Sequence, residues 1–477
     1  MAPRYRRVAV IGAGPSGLAA VHALAGEKTF DAIRVFDRRD HVGGLWHYDP
    51  EPDTFPATTG VPPPRTLKPP ATFPDFAPAA GPDPRARSAL YYNLDSNVGA
   101  TTMAFTHTPF PEVNSPLSIQ RFGRGNPTRP YTAIAEWIED LFKPFLPFVS
   151  LNTTVEKVAK QGKEWILTLR KTGQVYRGKE HDYWWTETFD AVVIASGHYH
   201  VPFIPDIPGL IEASKALPER FGHSKSYRKP DKYINKRILI VGGNISATDF
   251  INDLHDIVKG KLEVAIRSRN EKLESAYSLP NVNIHTSSIR SISATNGLLL
   301  TVTFEDSTSI SGLDYILFAT GYRLEYPYLH PNPTTPENRV AGFYQHVFNI
   351  DDPSLTLVGQ VKAALSFRIY EYQAVAIARY YAGRGAGLPS VDEQRKWEVE
   401  RLKEKGPTSA FHEIAPDLEP YFNWFVDVAG KPAIGTDGYE LPRWRDEFAD
   451  KGLAVLGLKE KYWKDLANRK SQIAAKL

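Results

Sequence analysis

Two stretches of this 477-residue chain carry the same pattern, a short apolar run followed by a glycine turn and a helical segment. The first reads Val8-Ala9-Val10-Ile11, then Gly12-Ala13-Gly14-Pro15-Ser16-Gly17, then the helical stretch Leu18 to Leu24. Gly12 allows a tight turn, Gly14 lets backbone come close to a pyrophosphate, and Gly17 lets the helix close on the strand. Phosphate would then face backbone amides and the positive end of the helix dipole, with Pro15 and Ser16 completing the cradle. Asp37 ends the next strand, twenty residues after Gly17. A carboxylate there can accept hydrogen bonds from a ribose diol and repels a ribose phosphate.

The second pattern is Ile238-Leu239-Ile240-Val241, then Gly242-Gly243-Asn244-Ile245-Ser246-Ala247 and a helix through Leu254. Asn244 holds the middle glycine position, so this loop grips phosphate more loosely or uses the Asn amide as a donor. Its following strand ends in Arg267-Ser268-Arg269 with no acid. A guanidinium is a planar fork suited to a phosphate dianion, so the dinucleotide expected here carries a 2′-phosphate. FAD in the first cradle and NADPH in the second is the natural assignment.

Further apolar runs at Ile33 to Phe36, Ala191 to Ile194, Leu262 to Ile266 and Tyr315 to Phe318 are continuous rather than alternating. Strands of that kind are covered on both faces, which predicts parallel sheets in an α/β fold with two Rossmann-like dinucleotide-binding domains. Between Glu51 and Arg87 the pattern stops and proline crowds in, predicting a surface insertion, since proline removes ladder donors. Pro327 to Asn338 is similar. A helix is expected from Ser366 through Arg379, and a charged helical tail beyond Asp392 with Trp397, Trp424, Trp444 and Trp463 as packing anchors.

The chain has no cysteine, which removes disulfides, thiolate metal sites and cysteine nucleophiles together. A flavin here must therefore pass electrons to something diffusible, such as oxygen, a quinone or another protein. With 57 basic against 54 acidic residues and no basic stripe, nucleic acid is not an implied partner. No stretch approaches the roughly 18 apolar residues of a membrane span. The basic start before an apolar run is not read as a secretory signal, because its glycines already serve the first cradle. A cytoplasmic location is expected, and the terminal Ala475-Lys476-Leu477 comes near a peroxisomal address. His198-Tyr199-His200 has no third ligand group beside it, so no metal is expected.

Beyond the cradles, the sequence resembles the flavin-containing monooxygenases, the class B flavoprotein oxygenases, in the flavour of their fungal members. The resemblance rests on Gly43-Gly44-Leu45-Trp46, on Leu94-Asp95-Ser96-Asn97 with Met103-Ala104-Phe105 and Pro109-Phe110-Pro111, and on Ala195-Ser196-Gly197-His198-Tyr199 and Ala319-Thr320-Gly321-Tyr322. Gly359-Gln360 and Glu371-Tyr372-Gln373-Ala374 echo the family's flavin-covering region. The family fingerprint is half present: His223, Ser224 and Tyr227 are in order, while Leu217 and Glu219 replace Phe and Gly, with Phe221-Gly222 as a shifted remnant.

The resemblance implies FAD and NADPH as cofactors and molecular oxygen as a substrate, with a C4a-hydroperoxyflavin attacking a small amine, hydroxylamine or thioether. It implies cofactor contacts at Leu45, Trp46, Ser96, Asn97, Val155 and Gln360, and a catalytic donor in the Asn97 amide. It implies a FAD domain over 1–208 and 324–477 with an NADPH domain over 209–323 between them. The fingerprint ends in Tyr without the Trp-Pro of Baeyer-Villiger enzymes, which favours N- or S-oxygenation. Baeyer-Villiger oxygenation, and an NADPH oxidase or electron-transfer flavoprotein, are the alternatives. His223 is expected to support the fold. Tyr48, Tyr91 and Tyr92 either line an entrance or simply pack. The insertion over 51–87 is expected to cover the cleft or to mediate self-association into a homo-oligomer.

Overall fold

The computed structural model describes residues 4–56, 58–60, 67–81, 83, 85–267, 273–295 and 297–474, with side chains to 469. The first apolar run becomes the strand Arg7–Ile11, paired in parallel with Ala32–Phe36 on one side and Ala191–Ile194 on the other. Leu355–Leu357 extends this parallel sheet beyond Ala191–Ile194, and Val149–Ser150 extends it beyond Ala32–Phe36. Val8, Ala9, Val10 and the whole of Ala191–Ile194 are buried on both faces, as continuous apolar runs require. The helices Pro15–Gly26 and Phe367–Tyr381 lie against each other over one face of the sheet, their residues forming the largest core.

The second run, Ile238–Val241, sits in a five-stranded sheet between Tyr315–Phe318 and Leu262–Ala265, all parallel. The two sheets repeat each other at atomic detail. Gly12 N donates to Phe36 O at 2.8 Å and Gly242 N donates to Ala265 O at 2.9 Å. Ala195 N donates to Ile11 O and Ala319 N to Val241 O, both at 2.8 Å. The linkers that leave these strands meet, Val201–Pro202 pairing antiparallel with Tyr322–Arg323. One hinge thus joins both nucleotide-type sheets.

Two antiparallel sheets are present that the apolar pattern does not announce. Thr153–Gln161, Glu164–Tyr176 and Lys179–Phe189 form one, and Ile289–Thr295, Leu299–Phe304 and Ser309–Leu313 form the other. The insertion is not wholly without regular structure. Asp75–Pro78 adds an antiparallel strand at the edge of the first of these sheets, against Lys179–Phe189. Pro78 is tolerated because an edge strand can spare a ladder donor. Upstream, the Phe55 ring packs 5.7 Å from Phe221 and 5.6 Å from Phe318. Asp53 forms an ion pair with Lys225, whose side chain is only 2% exposed.

The tail follows the helical expectation, as Val391–Lys405, Leu418–Ala429 and Glu447–Ala474. Trp397 and Trp424 both pack edge-on against Tyr344, Trp444 packs on Phe422, and Trp463 is buried. Among the described residues no helix is long and apolar enough to cross a membrane, and the terminal tripeptide lies outside them.

The buried ammonium of Lys225 makes a test of how the insertion is fastened. Removing one partner of a buried pair strands the other charge, which costs about 3 kcal/mol or more. Asp53→Ala should lower the unfolding free energy by roughly that amount, and adding Lys225→Met should recover most of it; thermal and urea denaturation of both variants measure the difference.

Candidate functional site

The first cradle is built by steric necessity on one side and left open on the other. Gly12 has φ of +109°, and a Cβ there would stand 2.5 Å from Ala195 O. A Cβ on Gly17 would come within 1.9 Å of Gly12 O, so helix and turn can close only around glycine. Gly14 is different: a Cβ there would meet only the backbone of Gly44, at an ordinary 3.5 Å from its Cα and 3.8 Å from its N. The protein itself therefore does not demand glycine at this position. The helix Pro15–Gly26 begins with no side-chain cap and no acid in its first turn, leaving its amides for an anion.

Asp37 does more than wait for a ribose. It is 7% exposed, and its Oδ2 accepts from Ala13 N at 2.7 Å while Oδ1 accepts from Arg39 N at 2.8 Å. The carboxylate thus ties the glycine loop to the end of the second strand, with a lone pair on each oxygen still free for a diol. Gly43 N donates to Ala13 O at 2.8 Å, which brings the turn carrying Leu45 and Trp46 against the same loop. Trp46 packs edge-on to Phe367. Across the cradle, a Cβ on Gly359 would stand 2.3 Å from Ser16 Oγ. Next to it Gln360 is 2% exposed; its Oε1 accepts from Tyr326 OH, while its Nε2 is buried with no hydrogen-bond partner among the described residues. A buried donor of that kind asks for an acceptor from a bound molecule. The uncapped amides, the spare space at Gly14 and the Gln360 donor together fit a phosphate-bearing, hydrogen-bond-accepting cofactor such as FAD.

Val155 follows Asp37 closely, since Thr153 N donates to Asp37 O at 2.7 Å. Its side chain is buried with Ile11 and Phe36, so only its backbone is left for a ligand. Ser96 spends its hydroxyl on its own turn, donating to Val98 O at 3.0 Å and accepting from Arg129 N at 3.1 Å.

The second cradle repeats the constraint, with a Cβ on Gly242 2.3 Å from Ala319 O and φ of +132°. Gly243 lies beside it and its carbonyl accepts from Tyr277 OH at 2.7 Å. Asn244 caps the helix Ile245–Leu254, its Oδ1 accepting from Ile245 N at 2.9 Å. Ser246 stands in the first turn of that helix. Since Gly242 N bonds Ala265 O as Gly12 N bonds Phe36 O, the structural counterpart of Asp37 is Ile266, and Arg267 follows it, exposed. No carboxylate stands where Asp37 stands in the first cradle. Ser268 and Arg269 lie outside the described residues.

Between the domains a cleft is lined by Tyr91, Asp95, Arg121, Asp249, Lys459 and Trp463. Burial raises the Asp95 carboxyl above the usual range. Asn97 lies beside this cleft, with its Oδ1 accepting from Lys459 Nζ at 2.6 Å. Tyr91 donates to Asp249 Oδ2 at 2.6 Å, whereas Tyr92 is exposed under Lys229 and Tyr48 packs on Tyr131. His223 caps the turn Ser224–Ser226, its Nδ1 accepting from Lys225 N at 3.1 Å, and Tyr227 stacks on Tyr233 in the core of the second domain. Gly222 answers a steric need, since a Cβ would stand 2.2 Å from Tyr315 Oη. Burial holds both His198 and His223 at about 3, hence neutral. Among the described residues no three His, Asp or Glu gather as a metal site. Sequence patterns pointed to the cradles, Asn97 and Gln360; they gave no sign of Lys459 or Asp249.

A family model described as flavin-binding monooxygenase-like matches residues 84–272 and 270–425, and one for an NAD(P)-binding Rossmann-like domain matches residues 10–74. Flavin-containing monooxygenase ustF2 of Aspergillus flavus is 29% identical, with 93% of this chain and 96% of that protein covered. Flavin-containing monooxygenase FMO GS-OX4 of Arabidopsis thaliana is 28% identical, with 96% of this chain and 91% of that protein covered. Among solved structures, S-allyl-L-cysteine S-oxygenase from Allium sativum superposes with a TM-score of 0.70 at 24% identity over 99% of both chains, a likeness of fold.

The contrast between Gly14 and Gly17 is testable. Gly17→Ala should yield unstable or insoluble protein. Gly14→Ala should fold with a melting temperature close to that of the wild-type apoprotein yet retain far less flavin. Circular dichroism and the flavin absorbance of the purified variants separate the two outcomes.

Proposed function

The chain belongs to the flavin-binding monooxygenase-like family, with FAD and NADPH as its cofactors, and from that premise we propose that it transfers one oxygen atom from O2 to a nitrogen or sulfur of a small molecule. The observation that carries this reading is the convergence of two phosphate-type cradles on one hinge in a chain with no cysteine. Bound FAD, reduced by NADPH, supplies the oxidant by activating dioxygen. With no thiol pair to receive electrons, oxygen is the diffusible outlet. A soft nucleophile needs to be positioned more than it needs a catalytic base. Among the side chains of the cleft, Tyr91, Asp249, Lys459 and Asn97 are bonded to one another, while the buried carboxylate of Asp95 keeps one oxygen without a partner among the described residues. In this reading the Asn97 amide is a fixed donor toward the bound flavin, in a site where excluding water strengthens each such contact. The Allium sativum protein that shares this fold is an S-oxygenase, and sulfur is accordingly one of the acceptor atoms proposed here.

Product analysis with labelled dioxygen tests this directly. Incubation with NADPH and panels of thioethers, amines and ketones should give one labelled oxygen atom on sulfur or nitrogen, monitored by mass spectrometry. Labelled esters from the ketones would make the enzyme a Baeyer-Villiger catalyst, and peroxide alone would make it an oxidase.

The preference for NADPH over NADH rests on Arg267 and on the lack of a carboxylate at Ile266. A charge-assisted hydrogen bond to phosphate is worth about 1.5–3 kcal/mol, or roughly ten- to hundredfold in affinity. Arg267→Ala should raise the KM for NADPH by about that factor and leave the KM for NADH within about twofold, as read from steady-state NAD(P)H oxidation.

A further inference from the structure

The C-terminal helix Glu447–Ala474 lies across the cleft and touches both domains. On the flavin side its backbone meets Gly99: Gly99 N donates to Gly452 O at 3.0 Å, and a Cβ on Gly99 would stand 1.9 Å from Lys451 O. On the other side Ser275 N donates to Glu460 Oε1 at 3.2 Å, and Trp463 is buried with Leu273 and Ala276. Beside the second of these anchors Lys459 reaches into the cleft with its side chain 13% exposed. Its ammonium touches two groups, Asp249 Oδ1 at 2.7 Å and Asn97 Oδ1 at 2.6 Å. Asp249 is itself held by Tyr91 OH at 2.6 Å on its other oxygen.

This arrangement decides which end of the Asn97 amide points where. An ammonium has three donors and no acceptor, so it can face only the amide oxygen. Turning the amide over would set N–H groups against N–H groups and forfeit a charge-assisted bond. The carboxylate of Asp249 meanwhile holds the ammonium of Lys459 in place through an ion pair at 2.7 Å. With Oδ1 committed to Lys459, the NH2 group is the end of the amide left to donate to a ligand.

We propose that Lys459 is a positioning residue that fixes the Asn97 amide as a hydrogen-bond donor toward the bound flavin, linked through Asp249 to the second dinucleotide-binding domain. The inference rests on the reading of Asn97 given above, and deepens it. A salt bridge between Lys459 and Asp249 alone would fasten the helix to the second domain. The contact to Asn97 adds a connection from that domain to the flavin side that fastening does not require, since Gly99, Glu460 and Trp463 already hold the helix.

The test compares Lys459→Met, Lys459→Arg, Asn97→Ala and the double variant Lys459→Met/Asn97→Ala, with the exposed neighbour Lys461→Met as a control for lost charge. Each holoenzyme is given NADPH and oxygen without organic substrate, and peroxide release is followed; anaerobic flavin reduction is measured separately by stopped flow. The expected result is peroxide release at least fivefold faster in Lys459→Met and in Asn97→Ala, no further increase in the double variant, and recovery to within about twofold of wild type in Lys459→Arg. A crystal structure of Lys459→Met should show the Asn97 amide turned from the orientation in which Oδ1 faces the helix. Peroxide release unchanged in Lys459→Met while Asn97→Ala accelerates it would overturn the role of Lys459 and leave that of Asn97 intact. No acceleration in Asn97→Ala would remove the donor reading itself and the proposal with it. A rise in the rate of anaerobic flavin reduction that accounts for the whole effect of Lys459→Met, or an equal effect of Lys461→Met, would also overturn it.

Discussion

A single close approach recurs at the centre of this protein: a carbonyl oxygen laid over a glycine that turns out of a parallel strand. Ala195 O occupies the space where Gly12 would carry a Cβ, and Ala319 O does the same at Gly242. In each case the strand that delivers the carbonyl is the one that leads into a linker between the domains. The nucleotide turn and the inter-domain crossing are therefore one packing event, made twice. Any side chain at either glycine would push the linker away and with it the strands Val201–Pro202 and Tyr322–Arg323 that join the two halves. The orientation of the domains, and hence the cleft, descends from that contact.

The two cradles are alike in backbone and different in what surrounds it. Asp37 binds the first loop through its carboxylate, and its Oδ2 to Ala13 N contact stiffens the turn before any ligand arrives. Ile266 offers the second loop no such tie, and Asn244 spends its own oxygen on the helix N-terminus. A stiff, buried, uncapped cradle suits a resident cofactor. A looser one with an exposed guanidinium beside it suits a nucleotide that enters and leaves, because binding is weaker where the loop must be ordered by the ligand.

The sequence was legible where one face of physics dominates. Strands covered on both sides must be apolar throughout, so Ile238–Val241, Ala191–Ile194 and Tyr315–Phe318 could be read to the residue. The antiparallel sheets escaped because their strands are half-exposed and mix charged with apolar positions, as in the strand Glu164–Tyr176. The edge strand Asp75–Pro78 escaped because its proline argues against a ladder unless the strand is known to lie at an edge. Asn97 is singled out by the family resemblance, but the lysine that its amide oxygen accepts from lies 362 residues away along the chain. Nothing in the spacing around Lys459 marks it, since a lysine on a charged helix is the ordinary surface residue. Only the fold brings it under the cleft.

That distance also explains why the C-terminal helix bears on chemistry at all. A cleft between two domains that meet at one hinge would open to water as the domains moved. Here the helix is clamped to the first domain at Gly99 and to the second at Ser275, so the side of the cleft between them is bridged by a rigid element. Movement of the second domain must either carry the helix or break the Asp249 contact to Lys459. Because the same ammonium bonds Asn97, a change in domain position reaches Asn97 through two short hydrogen bonds in series. Coupling of this kind needs no long pathway, only one lysine with an acceptor in each domain and a helix stiff enough to hold it between them.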